Sequence, residues 1–134
     1  MTSAIANAGI SQIGQIFVNV QDLERAIAFY RDTLGMKFLF QAPPNMAFFD
    51  CGGIRLMLGI ADRPELNHAA SIIYYKVTDI QETHQTLKAH GVKFIVEPHL
   101  VAKMPAYDLW LSDFYDSEKN ILALMCEVPQ SPTE

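Results

Sequence analysis

Positive charge, cysteine and long apolar runs are all scarce in this sequence, and each shortage excludes something. Ten lysines and arginines stand against fifteen acidic residues, for a net charge of −5. No basic patch is therefore available to displace counterions from a nucleic-acid backbone. No window approaches 18 uncharged apolar residues, so no membrane-spanning helix is expected. The opening MTSAIANAGISQ has neither a charged n-region nor a sustained apolar run and does not resemble a secretory signal. Residues 1–11 are expected to be a mobile leader. The two cysteines, Cys51 and Cys126, lack CxxC spacing and read as separate buried thiols in a cytoplasmic protein. No glycine-rich phosphate loop, nucleophile elbow or Cys–His arrangement is present. His68, His84, His90 and His99 form no HxH, HxxxH or HExxH pattern, so no histidine-rich metal site is expected.

What is present is a repeat. The 134 residues are half apolar, enough for one domain with a core of its own, placed here at 12–128 with a tail at 129–134. Shifted by 57 positions, IFVNVQDLERAI from Ile16 falls on IYYKVTDIQETH from Ile73. Val20 matches Val77, Asp22 matches Asp79 and Leu23 matches Ile80. Each copy is a period-2 strand leading to an aspartate that can accept the free amide hydrogens of a helix's first turn. In the first helix Leu23, Ala26, Ile27, Tyr30 and Leu34 make one apolar stripe over about three turns. Ile80, Thr83, His84 and Leu87 make a weaker one in the second. Gly35 and Gly91 supply left-handed helix ends. Three strand signals follow each helix: MKFLFQA, MAFFDCG and GIRLMLG, then VKFIVEP, YDLWLSDF and NILALMCEV. Turns are expected at Pro43-Pro44-Asn45, Gly52-Gly53 and Asp116–Asn120. The fold class is thus α+β, two βαβββ modules at about 12–60 and 70–128 joined by IADRPELNH. One module cannot bury both faces of its sheet, so the two must combine.

VQDLERAIAFYRDTLGM in the first module and DFYDSEKNILAL in the second resemble the vicinal oxygen chelate superfamily, which includes glyoxalase I, bleomycin-resistance proteins and extradiol dioxygenases. The second stretch is similar to the family's F-x-D-P-D-G-N-x-L-x-L ending, with Ser117 and Lys119 as departures. The resemblance spans about Ile13 to Val128. It implies curved mixed sheets around a cup, commonly in a homodimer. In metal-dependent members it implies ligands at positions that here are Gln15, Arg55, Ile72 and Ala123. Those residues are one neutral carboxamide, one permanent cation without a lone pair and two apolar side chains, whereas a divalent cation needs three or four donors. The metal site is therefore expected to be degenerate, with no cofactor.

Strand alternation puts Gln15, Phe17, Asn19, Arg55, Met57, Tyr74 and Lys76 on one face, a mixture of apolar wall and few polar groups typical of a small-molecule site. His99 and Trp110 are expected nearby, in a stretch that in the resembling fold crosses the cavity mouth. With Arg55 and Lys76 in place of carboxylates, the expected ligand is small and anionic or hydrogen-bonding. Arg55 could instead pair with Asp50 or Asp113 and only tie strands together. Asp116 and Glu118 are expected to make turn hydrogen bonds. The alternative function is a metal-dependent lyase, isomerase or dioxygenase related to glyoxalase I, using Gln15, His99 and Asp113. A third is a sequestering protein of the bleomycin-resistance kind.

Overall fold

The structure, a computed structural model, describes residues 8–130. The expected leader at 1–11 and tail at 129–134 lie partly outside that range.

Strand β1 (Gln15–Asn19) leads into helix α1 (Leu23–Ala28), whose N-cap Asp22 accepts a hydrogen bond from the Arg25 amide. The helix does not continue as regular α-helix. Phe29–Thr33 form a π-helical turn, closed by the Leu34 amide donating to the Phe29 carbonyl five residues back. The expected stripe therefore holds through Tyr30, which is fully buried, while Leu34 falls at the widened end and is only half-buried. Strands β2 (Lys37–Ala42), β3 (Met46–Cys51) and β4 (Ile54–Gly59) follow. The second module repeats the order as β5 (Ile73–Lys76), α2 (Ile80–Ala89), β6 (Phe94–Lys103), β7 (Tyr107–Tyr115) and β8 (Ile121–Pro129). Asp79 caps α2 through the Glu82 amide, as Asp22 caps α1. The first sheet runs β1-β4-β3-β2 and the second β5-β8-β7-β6. In each, the first strand is parallel to the last and the remaining pairs are antiparallel.

Two boundaries differ from the sequence reading. The strand signal VKFIVEP stops at Pro98, whereas β6 runs on through His99 to Lys103, paired with β7 across several register shifts. Such bulges let a strand bend without losing its partner. At the C-terminal end, β8 reaches Pro129, and the Gln130 amide donates to the carbonyls of Met104 and Tyr107 and to Asp108. Ordered structure thus passes beyond Val128.

One hydrophobic core serves both modules. Val18, Phe49, Leu56 and Leu58 of the first sheet, Leu122, Leu124 and Phe114 of the second, and the inner faces of both helices all join it. Burying each such side chain stabilises the fold by roughly 1.5–3 kcal/mol. Because alternate strand residues point to opposite faces, filling the helix-facing side with Val18, Leu56, Leu58 and Phe49 turns Gln15, Phe17, Arg55, Met57 and Phe48 to the other. The site lies on that side.

A polar turn joins the modules. At 116–120, Glu118 accepts hydrogen bonds from the amides of Gln21 and Asp22, both 2.8 Å, and is held by the Arg25 guanidinium at 2.7 and 3.1 Å. Asp116 accepts from the Tyr30 hydroxyl at 2.7 Å, from the amides of Glu118 and Asn120, and from the Asn120 side chain. Asn120 also donates to the Asn19 carbonyl. Asp116 and Glu118 make the turn hydrogen bonds expected of them. Their bonds to Tyr30, Gln21, Asp22 and Arg25 reach further, into the other module.

Candidate functional site

On the helix-free face of the first sheet, Phe17, Met46 and Met57 floor a cavity of about 520 Å³. Its walls come from the β2–β3 turn at Pro44 and Asn45 and from the linker at Ile60–Arg63 and Leu66. Gly59 belongs to the floor for a steric reason. A Cβ there would lie 2.8 Å from Phe17 Cε1, so the ring fills the space that the glycine leaves. Arg63 and Asp62 add one charge of each sign.

Arg55 is exposed, and its guanidinium carbon sits 5.8 Å from the Phe48 ring centroid, within the range of a cation–π contact. It stands directly across from Asp50 in the β3–β4 register, yet the two form no ion pair. The Asp50 carboxylate instead accepts from the Gly53 amide. Asp113 lies in the other sheet, paired with Ala123. The strand-tying role considered for Arg55 therefore does not hold: the side chain is at the surface, and among the described residues it has no acidic partner. Gln15, in register with Arg55 on the neighbouring strand, donates to the Met57 sulfur at 3.7 Å.

The remaining residues singled out by alternation divide differently. Asn19 is buried and already used, donating to Asn67 and the His68 carbonyl and accepting from the Ala61 amide. It pins the linker over the sheet, and both of its side-chain amide hydrogens are already donated. Lys76 is not a free cation, since Glu127 on β8 lies 3.0 Å away. The Glu127 hydrogen bond and charge also raise its pKa. Tyr74 and Lys76 line a smaller cavity of about 160 Å³ with Ile16, Cys51, Ile54 and Tyr75, apart from the Phe17–Met57 floor. Trp110 is in phase with the buried Ser112 and Phe114, lies in register with Cys126, and packs on the core. His99 lies on β6 across from Leu111, its Nδ1 2.9 Å from the Glu97 carbonyl. The site thus gathers Phe17 and Met57, with Gln15 and Arg55 along the same face. It does not gather Asn19, Tyr74, Lys76, His99 or Trp110.

Met46 and the linker residues Arg63 and Leu66 were missed. Met46 could have been found, because it is in phase with Phe48 and Asp50 on β3. The linker gave no periodic signal to follow.

Two βαβββ modules with the first and last strands of each sheet parallel, and an open face free of helices, define a glyoxalase-like class of fold. The chain matches the Glyoxalase/Bleomycin resistance protein/Dioxygenase superfamily over residues 12–124 and belongs to it. Among solved structures it is similar to a superfamily member from Sphaerobacter thermophilus, with 27% identity, TM-score 0.72, and coverage of 88% of this chain and 98% of that one. A lactoylglutathione lyase from Agrobacterium tumefaciens is 20% identical with TM-score 0.68, covering 86% and 92%. TnmS3, an antibiotic binding protein from a Streptomyces species, is 22% identical with TM-score 0.69, covering 91% and 98%. At these identities the last two establish a shared fold.

Proposed function

We propose that this protein binds a small anionic molecule on the helix-free face of its first sheet, without a metal. The observation that carries the reading is the pairing of an apolar floor, Phe17, Met46 and Met57, with the exposed Arg55 guanidinium, which has no acidic partner among the described residues. A guanidinium with free donors beside a cavity of this size can take a carboxylate, sulfonate or phosphate in its fork.

The donor chemistry supports the metal-free part. Gln15 and Arg55 are neighbours in register, so any cation at Gln15 would sit beside a fixed positive charge. Ala123 is buried and has no donor atom, and Ile72 is exposed and apolar. Among the described residues no three His, Cys, Asp or Glu side chains are grouped as a metal site. No helix among the described residues is long and apolar enough to cross a membrane, and both cysteines are free thiols. These features fit a cytoplasmic protein.

The reading includes a homodimer. β2 and β6 each form one edge of their sheet, opposite β1 and β5, and their exposed apolar residues include Phe40 at 48% and Val101 at 47%. Unpaired edges of this kind are covered or blunted in stable proteins.

The test is a ligand screen with metal analysis. Purified protein is titrated with a panel of small carboxylates, sulfonates and antibiotics, in wild-type form and as Arg55→Met. The expected result is binding that falls about tenfold or more in the variant, as loss of a charge-assisted pair implies, with the Tm unchanged. Unaltered affinity would reject the role of Arg55, and stoichiometric zinc, nickel, iron or manganese retained by the wild type would reject the metal-free reading. Light scattering tests the dimer.

A further inference from the structure

Another cavity of similar size lies elsewhere. About 560 Å³ in volume, it opens between the modules on the side of the helices, and its lining includes Phe29, Lys93, Tyr115, Ser117 and Lys119. Phe29 begins the π-helical turn of the first module. Lys93 follows the turn that ends α2, Tyr115 ends β7, and Ser117 and Lys119 belong to the β7–β8 turn of the second module.

The charge of this cavity is one-sided. Lys93 and Lys119 are exposed, and neither has an ion-pair partner among the described residues. The one acid in the lining is Asp116, and it is buried with its oxygens taken by Tyr30, Asn120 and the Glu118 amide. Glu118, its neighbour in sequence, is spent on Arg25 and two amides of the first module. The nearby carboxylates are thus committed to the joint between modules and leave the two ammonium groups uncompensated.

Lys119 has a second peculiarity. Its φ is +67°, the only positive value for a non-glycine residue among those described. Glycine adopts that conformation freely and lysine does not. Strain of this kind at a cavity rim is an observation from which a role can be inferred. The opposite wall is a π-helical turn, another departure from regular geometry that recurs at functional sites. It places the half-buried Phe29 ring, packed edge-on against Tyr30 with centroids 5.6 Å apart, in the lining with Tyr115.

We propose that this cavity is a second binding site, for a small aromatic molecule carrying a phosphate or carboxylate. The anionic group is received by Lys93 and Lys119 and the ring by Phe29 and Tyr115. The volume lies within the range of small-molecule sites, and paired ammonium groups suit an anion better than a neutral ligand. The site is independent of the Arg55 face in residues and position, so either can exist without the other.

The test is calorimetric titration of the full chain with phenyl phosphate, with inorganic phosphate and phenol as half-probes. Phenyl phosphate is expected to bind at least about tenfold more tightly than either half-probe, because ring and charge are held together. The titrations are made in an Arg55→Met background, so that the other face contributes nothing, and there Lys93→Gln and Lys119→Gly are each expected to weaken binding about fivefold, the scale of one lost charge contact. Lys119→Gly is also expected to raise the Tm by about 3 °C as the left-handed strain is relieved. A gain in stability with a loss of binding is an outcome that a merely structural lysine would not produce. In that background, no measurable binding of phenyl phosphate, or equal binding by the Lys93→Gln/Lys119→Gly double variant, would each overturn the proposal.

Discussion

Two turns close the last hairpin of each module, Cys51-Gly52-Gly53 in the first and Asp116–Asn120 in the second. They hold equivalent places in the repeat and behave in opposite ways. The second reaches across to the first module with two carboxylates and an amide, and its polar atoms are satisfied there. The Tyr30 hydroxyl finds Asp116 at 2.7 Å. The first has two glycines at positive φ, 61° and 89°, and its Asp50 bonds only back to the Gly53 amide of the same turn. Beside it lies the cavity shared by Cys51, Ile54, Ile73 and Tyr75, where the buried Tyr75 hydroxyl has no hydrogen-bond partner among the described residues. Burial, with smaller contributions from Cys51 and Asp116, raises the pKa of that phenol. A repeated fold therefore does not imply a repeated joint. One side is closed by charge-assisted hydrogen bonds, and the other by apolar contact around an unsatisfied group.

The largest expected effect comes from opening the polar joint. Asp116→Ala leaves the Tyr30 hydroxyl, two amides and the Asn120 side chain without their acceptor, and should destabilise by about 3–5 kcal/mol, measured by urea unfolding. Tyr30→Phe removes one bond to a charged group and should cost about 1.5–3 kcal/mol. Its counterpart at the other joint, Tyr75→Phe, deletes a donor that has no acceptor. It should be neutral or stabilising by up to about 1 kcal/mol. Equal losses from the two tyrosine variants would break the contrast.

A pH measurement sharpens it further. Burial pushes the Glu118 carboxyl up. Hydrogen bonds from Arg25, from the Asp22 and Gln21 amides and from Ser117 outweigh that and bring it from 4.5 to about 2. A folded-state pKa below the unfolded one stabilises the protein at pH values above the unfolded value. That stabilisation is lost as the pH falls from about 4.5 towards about 2. The Tm of the wild type should therefore drop across this window more steeply than that of Glu118→Gln, which has no carboxyl to protonate. Parallel Tm curves for the two proteins would mean that Glu118 does not carry the joint.

Much of the fold could be read without coordinates. The succession of strands and helices, both aspartate caps and both helix stripes depend on residues within a few positions of each other, which is where periodicity and capping act. The helix-free face of the first sheet was legible for the same reason. Gln15, Phe17, Arg55 and Met57 share it because alternation is a local rule. The site was legible only in part, since alternation says which side a residue faces but not what it meets there. Asn19 faces the expected side but is consumed by a linker 42 to 49 residues away. Lys76 is neutralised by Glu127 on a strand whose register is set by the whole sheet. Trp110 was placed near the cavity because the stretch from His99 was expected to cross its mouth, whereas alternation along β7 turns it to the core.

By itself, then, the sequence determined two capped βαβββ modules, their apolar faces and the poverty of metal donors at Gln15, Arg55, Ile72 and Ala123. Tertiary structure decided which polar groups are spent and which stay available. That outcome rests on contacts such as Arg25 with Glu118, separated by 93 residues. No local pattern encodes such a contact, because the packing of one module on the other brings its partners together.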